Sequence, residues 1–187
     1  GDMNKAIDWL RQKGIAKAEK KSGRATSEGL VIYTFSDDGN NVALASLMCE
    51  TDFVSKGDQF KDMANQVARA VLEHNPTDAA ALDSIVGDDV RQLIANIGEN
   101  MRLGKFARHT KSSASEVIGH YVHANGKIGA LVFLETGDAA KTKDEKIVAL
   151  AKELAMQVAA SNPLSLDAND LDPAAIERER EIYRQKA

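Results

Sequence analysis

The first candidate for catalysis in this chain is Cys49 as a nucleophile, with His123 as a candidate base. A thiol hydrolase pairs the two side chains so that the imidazole removes the thiol proton. Cys49, however, ends an apolar run that reads as a strand, as a buried structural cysteine would, and no neighbouring motif would activate it. A thiol enzyme is therefore an alternative that the local sequence disfavours.

His120 and His123 form the second candidate, because imidazole nitrogens are common metal ligands. The two histidines are three residues apart in a segment that reads as a strand. An odd separation directs side chains to opposite faces of a sheet, so the pair cannot share a metal ion. The sequence predicts no metal site, no cofactor and no enzyme activity.

The segment 51–54, Thr-Asp-Phe-Val, contains a large aromatic residue where a solvated loop would begin. Phe53 is either folded back as an anchor of the core or held out to contact a partner. Asp52 has its own alternative, as the N-cap of a helix that begins near Ser55. The remaining elements of the chain bear on which alternative applies.

Composition excludes several classes of protein. The chain is 43% hydrophobic and 28% charged, which is typical of a globular domain. Its apolar run at 42–48 is far shorter than the roughly 20 residues that span a bilayer, so no membrane span is predicted. The net charge of −4 disfavours direct nucleic-acid binding. A single cysteine fits a reducing compartment such as the cytoplasm.

The N-terminal residues predict a short helix and then a linker. Residues 2–13 place apolar side chains at helical spacing, namely Met3, Ile7 and Leu10, with Trp9 beside them. Gly14 stands where a helix would stop, and the charged segment 16–29 that follows is typical of a linker. A helix this short is marginal alone, so we interpret it as the last helix of a small bundle.

Two similar hairpin-plus-helix units are predicted next. The first has strands at 30–35 and 42–48 around the turn "SDDGNN", a helix from about Phe60 to His74, a second helix at about 88–97 and a strand at 101–110. The second has strands at 117–124 and 128–134 and a helix over 147–159. A final helix should start near Pro173, because proline suits a first turn.

The repeat extends to individual residues, since Asn75-Pro76 at the end of the first long helix recurs as Asn162-Pro163. We expect an α+β fold of two antiparallel sheets with helices on one face of each. After its hairpin the second unit reads "ETGDAAKTKDEK", with no aromatic equivalent of Phe53. A structural anchor would have an apolar counterpart there, so the comparison favours an exposed Phe53.

Six segments in this order resemble elongation factor Ts, the bacterial and organellar exchange factor for the GTPase elongation factor Tu. They are "GDMNKAIDWLRQKG", "CETDFVSKGDQF", "NIGENMRLGKFA", "YVHANGKIGALV", "MQVAASNP" and "EREREIYRQKA". The resemblance implies a fragment without the family's N-terminal start and C-terminal part. Its implied divisions are 1–22 (remnant of the N-terminal helical domain and linker), 23–112 and 113–172 (core units) and 173–187 (start of a helical hairpin).

The resemblance also implies roles at matching positions. Asp52 and Phe53 match the pair that intrudes into the GTPase, and Thr51 and Val54 complete the motif associated with Mg²⁺ dislocation. Three further positions are implied to contact one helix of the GTPase: Ile97, Gly98 and His123. The implied partner is elongation factor Tu, in the cytoplasm or an organellar matrix or stroma, and the full-length protein is implied to be able to form a homodimer. A passive adaptor without exchange activity stays an alternative.

Overall fold

The computed structural model describes residues 2–186, without the side chains at positions 4, 6–8, 10 and 11. Its elements are the helices α1 (Met3–Glu19), α2 (Asp52–Lys56), α3 (Asp58–His74), α4 (Ala79–Ile97), α5 (Glu145–Ser161) and α6 (Pro173–Lys186), and the strands β1 (Glu28–Phe35), β2 (Asn41–Cys49), β3 (Met101–Thr110), β4 (Glu116–Val122) and β5 (Gly129–Glu135). Within this part of the chain no helix has the length and apolar character needed to cross a membrane.

The first unit is an antiparallel sheet in the order β1-β2-β3, covered on one face by α3. Every second residue of β2 points into the core and is buried against α3. Phe60 of α3 is fully buried there. The second unit is the two-stranded sheet β4-β5, on which α5 packs. The predicted α+β fold with two antiparallel sheets and helices on one face of each is confirmed.

The repeated Asn-Pro pair is explained by the way both long helices end. Asn75 and Asn162 both adopt the left-handed conformation at φ 46°, and the N–H group of each donates to a carbonyl of the last helical turn. Asparagine tolerates this conformation better than most residues, and the proline that follows cannot continue a helix. The recurrence is therefore a helix stop used twice.

Two sequence-based boundaries are wrong. α4 begins at Ala79, well before the predicted start near Asp88, because the Asp78 side chain accepts a hydrogen bond from the N–H of Ala81 at 2.8 Å. α1 does not stop at Gly14 but continues to Glu19, into the segment predicted to be a linker.

The reason for the longer α1 is its packing on α4. Gly14 and Ala18 are buried, and a methyl group at Gly14 would lie 3.5 Å from the Cβ of Ala95. Close helix contact therefore outweighs the low helix propensity of glycine. In the predicted apolar stripe, Met3 and Trp9 are exposed, and the side chains of Ile7 and Leu10 lie outside the described residues.

A compact polar cluster joins the two units between β3 and β4. The Glu116 carboxylate accepts bonds from the Ser112 N–H and hydroxyl, and its other oxygen lies 2.5 Å from His109 Nε2. Burial alone would raise the pKa of Glu116, but the bonds from Ser112 and the His109 contact lower it below its ordinary value. His109 also stacks on Phe133 of β5, with ring centroids 3.6 Å apart. This cluster holds the second unit against the end of the first sheet.

We expect Gly119→Ala to destabilise the second unit. A methyl group at Gly119 in β4 would overlap the carbonyl oxygen of Ala151 in α5, so the helix would have to move off the sheet. The free energy of unfolding should fall by about 1–3 kcal/mol, the usual effect of overpacking. Urea denaturation followed by circular dichroism measures it, and Gly23→Ala, which has open space around the new methyl group, is the control. Equal midpoints for both variants would contradict this packing.

Candidate partner-binding site

The segment 51–54 forms the start of α2, a single helical turn between β2 and α3. Thr51 is its N-cap: the Thr51 hydroxyl oxygen accepts from the N–H of Val54 at 3.5 Å. The alternative in which Asp52 caps a helix beginning near Ser55 is therefore wrong, because the helix already begins at Asp52. Gly57, in an extended conformation, ends α2 and precedes α3.

Phe53 points away from the core and is 84% exposed. The inward side of α2 is occupied instead by Ser55, which is buried, and Val54, which packs against the core cluster. The alternative of Phe53 as a core anchor is wrong, because Val54 and Ser55 occupy the side of α2 that faces the core. An aromatic ring left in water at a fixed position contributes little to folding and is available for a partner.

Asp52 lies beside Phe53, with its carboxylate 2.6 Å from the Lys56 ammonium. The hydrogen bond and the charge of Lys56 lower the pKa of Asp52, so the group is ionised at neutral pH. The Lys56 side chain is largely exposed and that of Asp52 is half exposed, and solvent-screened pairs of this kind contribute little to stability. The carboxylate can therefore exchange its lysine partner for another positive group at small cost.

Two carboxylates cross between the start of α2 and the turn after α4. Glu99 accepts the Thr51 hydroxyl at 2.7 Å and the Thr51 N–H at 3.0 Å. In the opposite direction, Glu50 accepts the Asn100 N–H at 2.6 Å and pairs with Arg24 at 3.4 Å. We call Glu50 and Glu99 the crossed carboxylates. Sequence reasoning missed both, although each lies next to a residue that it singled out.

The crossed carboxylates bring Ile97 and Gly98 to the base of α2. Gly98 is the C-cap of α4 in the left-handed conformation, with φ 92°, and its N–H donates to the Ile94 carbonyl. Ile97 is half-buried against the core. The resemblance implied only a partner contact at Gly98, and the structure adds a role in ending the helix.

His123 lies on a separate turn between β4 and β5, and its side chain is exposed. That turn docks on β1: the Val31 N–H donates to the Gly126 carbonyl at 2.7 Å, and Lys127 pairs with Glu28 at 2.6 Å. Glu28 is the β1 residue opposite Cys49, just before the start of α2. His123 is thus carried to the same end of the first sheet by the second unit.

The two enzyme alternatives find no support in the geometry. Cys49 is fully buried and donates to the Thr51 carbonyl, and burial raises its pKa to about 11, so the nucleophilic thiolate is scarce at neutral pH. His120 is packed between the rings of Tyr33 and Phe35. Among the side chains that the structure describes, no three of His, Cys, Asp or Glu are grouped so as to hold a metal ion.

Comparison with known proteins decides the family. A sequence profile described as elongation factor TS matches residues 50–187. The chain belongs to the elongation factor Ts family. The elongation factor Ts of Desulfovibrio desulfuricans is 63% identical over all 187 residues of the chain, and the proteins of that name in Nitratidesulfovibrio vulgaris and Lawsonia intracellularis are 47% and 44% identical over the whole chain.

The chain spans 65% of the Desulfovibrio desulfuricans elongation factor Ts and 63% of that of Nitratidesulfovibrio vulgaris. The resemblance drawn from the six sequence segments is confirmed. The match to the family profile covers every residue that the resemblance implicates in partner binding, namely Thr51, Asp52, Phe53, Val54, Ile97, Gly98 and His123. Their roles as partner contacts stay predictions.

Gly98→Val should lower the stability of the free protein, because a β-branched residue is strained at positive φ. The expected loss is about 1–2 kcal/mol or more in the free energy of unfolding. Gly98→Asn should lose less, since asparagine tolerates the left-handed region. Thermal unfolding of both variants beside Gly23→Val measures the difference. Equal melting temperatures for Gly98→Val and the parent would reduce Gly98 to a partner contact alone.

Proposed function

We propose that the protein is a guanine nucleotide exchange factor for elongation factor Tu and promotes GDP release during translation elongation. The observation that carries the proposal is Phe53, an 84% exposed aromatic side chain on a helical turn anchored to the fold, in a chain of the elongation factor Ts family. The function requires no catalytic residue and no cofactor in this chain, because the protein acts by binding.

The proposed action has two parts. Translational GTPases hold GDP with a phosphate-binding loop and a Mg²⁺ ion, the largest local charge of the site. Phe53 inserts between side chains of the GTPase and displaces the helix that carries them. Asp52 brings a negative charge and a competing hydrogen-bond acceptor close to the Mg²⁺ site. Both changes weaken the hold on GDP.

Linkage sets the amount of binding energy that this action needs. If the protein weakens GDP binding by a given ratio, it must bind the nucleotide-free GTPase more tightly than the GDP-bound GTPase by the same ratio. An acceleration of about ten-thousand-fold corresponds to roughly 5.5 kcal/mol. Burial of one phenylalanine supplies roughly 1.5–3 kcal/mol, so other contacts must add to it.

Gly98 and His123 are the proposed sources of those contacts, with Ile97 supporting Gly98 from the core side. Gly98 lies at a half-buried helix end, where a Cβ would meet only the end of the flexible Lys21 side chain at 3.7 Å, so another backbone can approach once that side chain moves, and His123 is presented by the second unit. Because the turn that bears His123 is docked on β1 by the Val31–Gly126 hydrogen bond and the Lys127–Glu28 ion pair, a partner helix can touch both units at once. Thr51 and Val54 hold the turn from which Asp52 and Phe53 project.

The partner class is a protein, and the proposal includes no direct binding to nucleic acid or membranes. Since the relatives named above are bacterial, the expected place of action is the cytoplasm. Homodimerisation of the full-length protein is also part of the proposal. The competing function is a passive adaptor, which would bind the GTPase without changing its affinity for GDP.

Phe53→Ala should slow the release of labelled GDP from elongation factor Tu. Loss of an interface anchor costs on the order of 2 kcal/mol, which converts to about thirtyfold in rate. Stopped-flow fluorescence measures the release, and Leu164→Ala, which truncates another side chain of similar exposure at 88%, is the control. An adaptor would give parent and Phe53→Ala chains that both leave the release rate unchanged.

Asp52→Asn should slow release mainly when Mg²⁺ is abundant, because its proposed role is to oppose the ion. When a chelator has removed the ion, Asp52→Asn and the parent should give the same rate. The measurement is GDP release across a Mg²⁺ series. Asp58→Asn is the matched control, since Asp58 also starts a helix and pairs with a lysine one turn on. A defect that is constant across the series would show that Asp52 contributes contact but no opposition to Mg²⁺.

A further inference from the structure

Phe53 projects into solvent from α2, a helix of only five residues. A helix of one turn is unstable by itself, so tertiary contacts must hold it. Val54 and Ser55 hold its inner side. Its outer side, with Phe53, contacts solvent, so the angle at which Phe53 projects depends on how the start of the helix is held.

The start of α2 is held by one side chain from another element. Thr51 caps the helix through its hydroxyl oxygen, and that hydroxyl donates its proton to Glu99 Oε1 at 2.7 Å. Glu99 Oε2 accepts the Thr51 N–H at 3.0 Å. One carboxylate thus fixes the backbone and the side chain of the capping residue together, which a single hydrogen bond could not do.

Glu50 makes the attachment reciprocal. Its carboxylate accepts the Asn100 N–H, and the Asn100 side chain donates to the carbonyl of Arg24 at 2.8 Å. The turn that bears Glu99 is therefore itself fixed to the residues before β1 and to the end of β2. Gly98, which immediately precedes Glu99, moves with this turn. Phe53 and Gly98 are consequently held at a fixed separation.

We infer that Glu99 is a positioning residue for nucleotide exchange, which presents Phe53 at a set angle and distance from Gly98. The inference rests on the proposed function and adds a residue that the family resemblance did not implicate. Its physical basis is pre-organisation: a wedge already ordered in the free protein loses less conformational freedom on binding. A loose α2 would still let the protein bind its partner, but Phe53 would occupy its productive position in a smaller fraction of the complexes.

Glu99→Gln tests the inference, because the amide keeps the shape of the side chain but only one oxygen acceptor. We expect GDP release at saturating factor to slow about tenfold, the equivalent of one hydrogen bond to a charged group. The factor concentration that gives half the maximal effect should change less. Hydrogen exchange of the Val54 and Ser55 amides in the free chain should quicken, while α3 keeps its protection. Glu73→Gln, an exposed carboxylate near the end of α3, is the control.

A double variant separates positioning from general stability. If Glu99 acts through Phe53, Glu99→Gln should have no further effect on GDP release in a Phe53→Ala chain. The same slowing in both backgrounds would overturn the inference. If Glu99→Gln lowers the melting temperature of the whole chain, a second pair of variants replaces it. Thr51→Val removes the hydroxyl contact with Glu99, and Thr51→Ser keeps it. We expect slow GDP release with Thr51→Val and release close to that of the parent with Thr51→Ser, and equal rates for the two variants would contradict the role of Glu99.

The outcomes also distinguish this inference from the proposed function. A parent chain that leaves GDP release unchanged contradicts the exchange function, and the role of Glu99 falls with it. A parent that accelerates release, a Phe53→Ala variant that does so poorly and a Glu99→Gln variant that matches the parent would leave the exchange function standing and overturn the role of Glu99 alone.

Discussion

Backbone N–H groups at the ends of elements need acceptors, and at the candidate site two glutamates supply them to each other's segments. Thr51 follows β2 and Asn100 follows α4, and neither N–H group has a partner within its own element at that point. Glu99 accepts the first and Glu50 accepts the second. The positions of α2, Phe53 and Gly98 all depend on these two hydrogen bonds, because they connect segments that are far apart in the chain.

The rest of the fold keeps that arrangement in place. α3 and the first sheet enclose Phe60 and close the core directly beneath α2, and α1 packs across α4 through Gly14 and Ala18. At the opposite end of the sheet the buried Glu116 receives two bonds from Ser112 and one contact from His109. A buried carboxylate needs such partners, since leaving it unpaired would be costly. The two units are thus joined by groups that cannot separate without losing those bonds.

The site shows a division of labour between neighbouring residues. Thr51, Val54 and Ser55 contribute to the fold through a cap, packing and a buried hydroxyl, while Asp52 and Phe53 project into solvent. Gly98 has a role in the fold and a proposed role in binding, since its left-handed conformation ends α4 and a Cβ there would meet only the end of the Lys21 side chain, at 3.7 Å. A substitution at Gly98 therefore tests folding and binding together, whereas one at Phe53 tests binding with little effect on the core.

Local sequence determined the elements of this protein, because period-2 and period-3.6 apolar patterns and turn residues act over short distances. Both hairpins, the long helices α3 and α5 and the Asn-Pro stops followed from it, and so did the exposed Phe53, through comparison of the two units. The start of α4 and the end of α1 did not follow, because a capping carboxylate and the contact of Gly14 with Ala95 prevailed over propensity. Only the tertiary structure revealed the crossed carboxylates. Glu50 and Glu99 look like ordinary charged residues in a chain that is 28% charged, and their function depends on segments about fifty positions apart meeting in space.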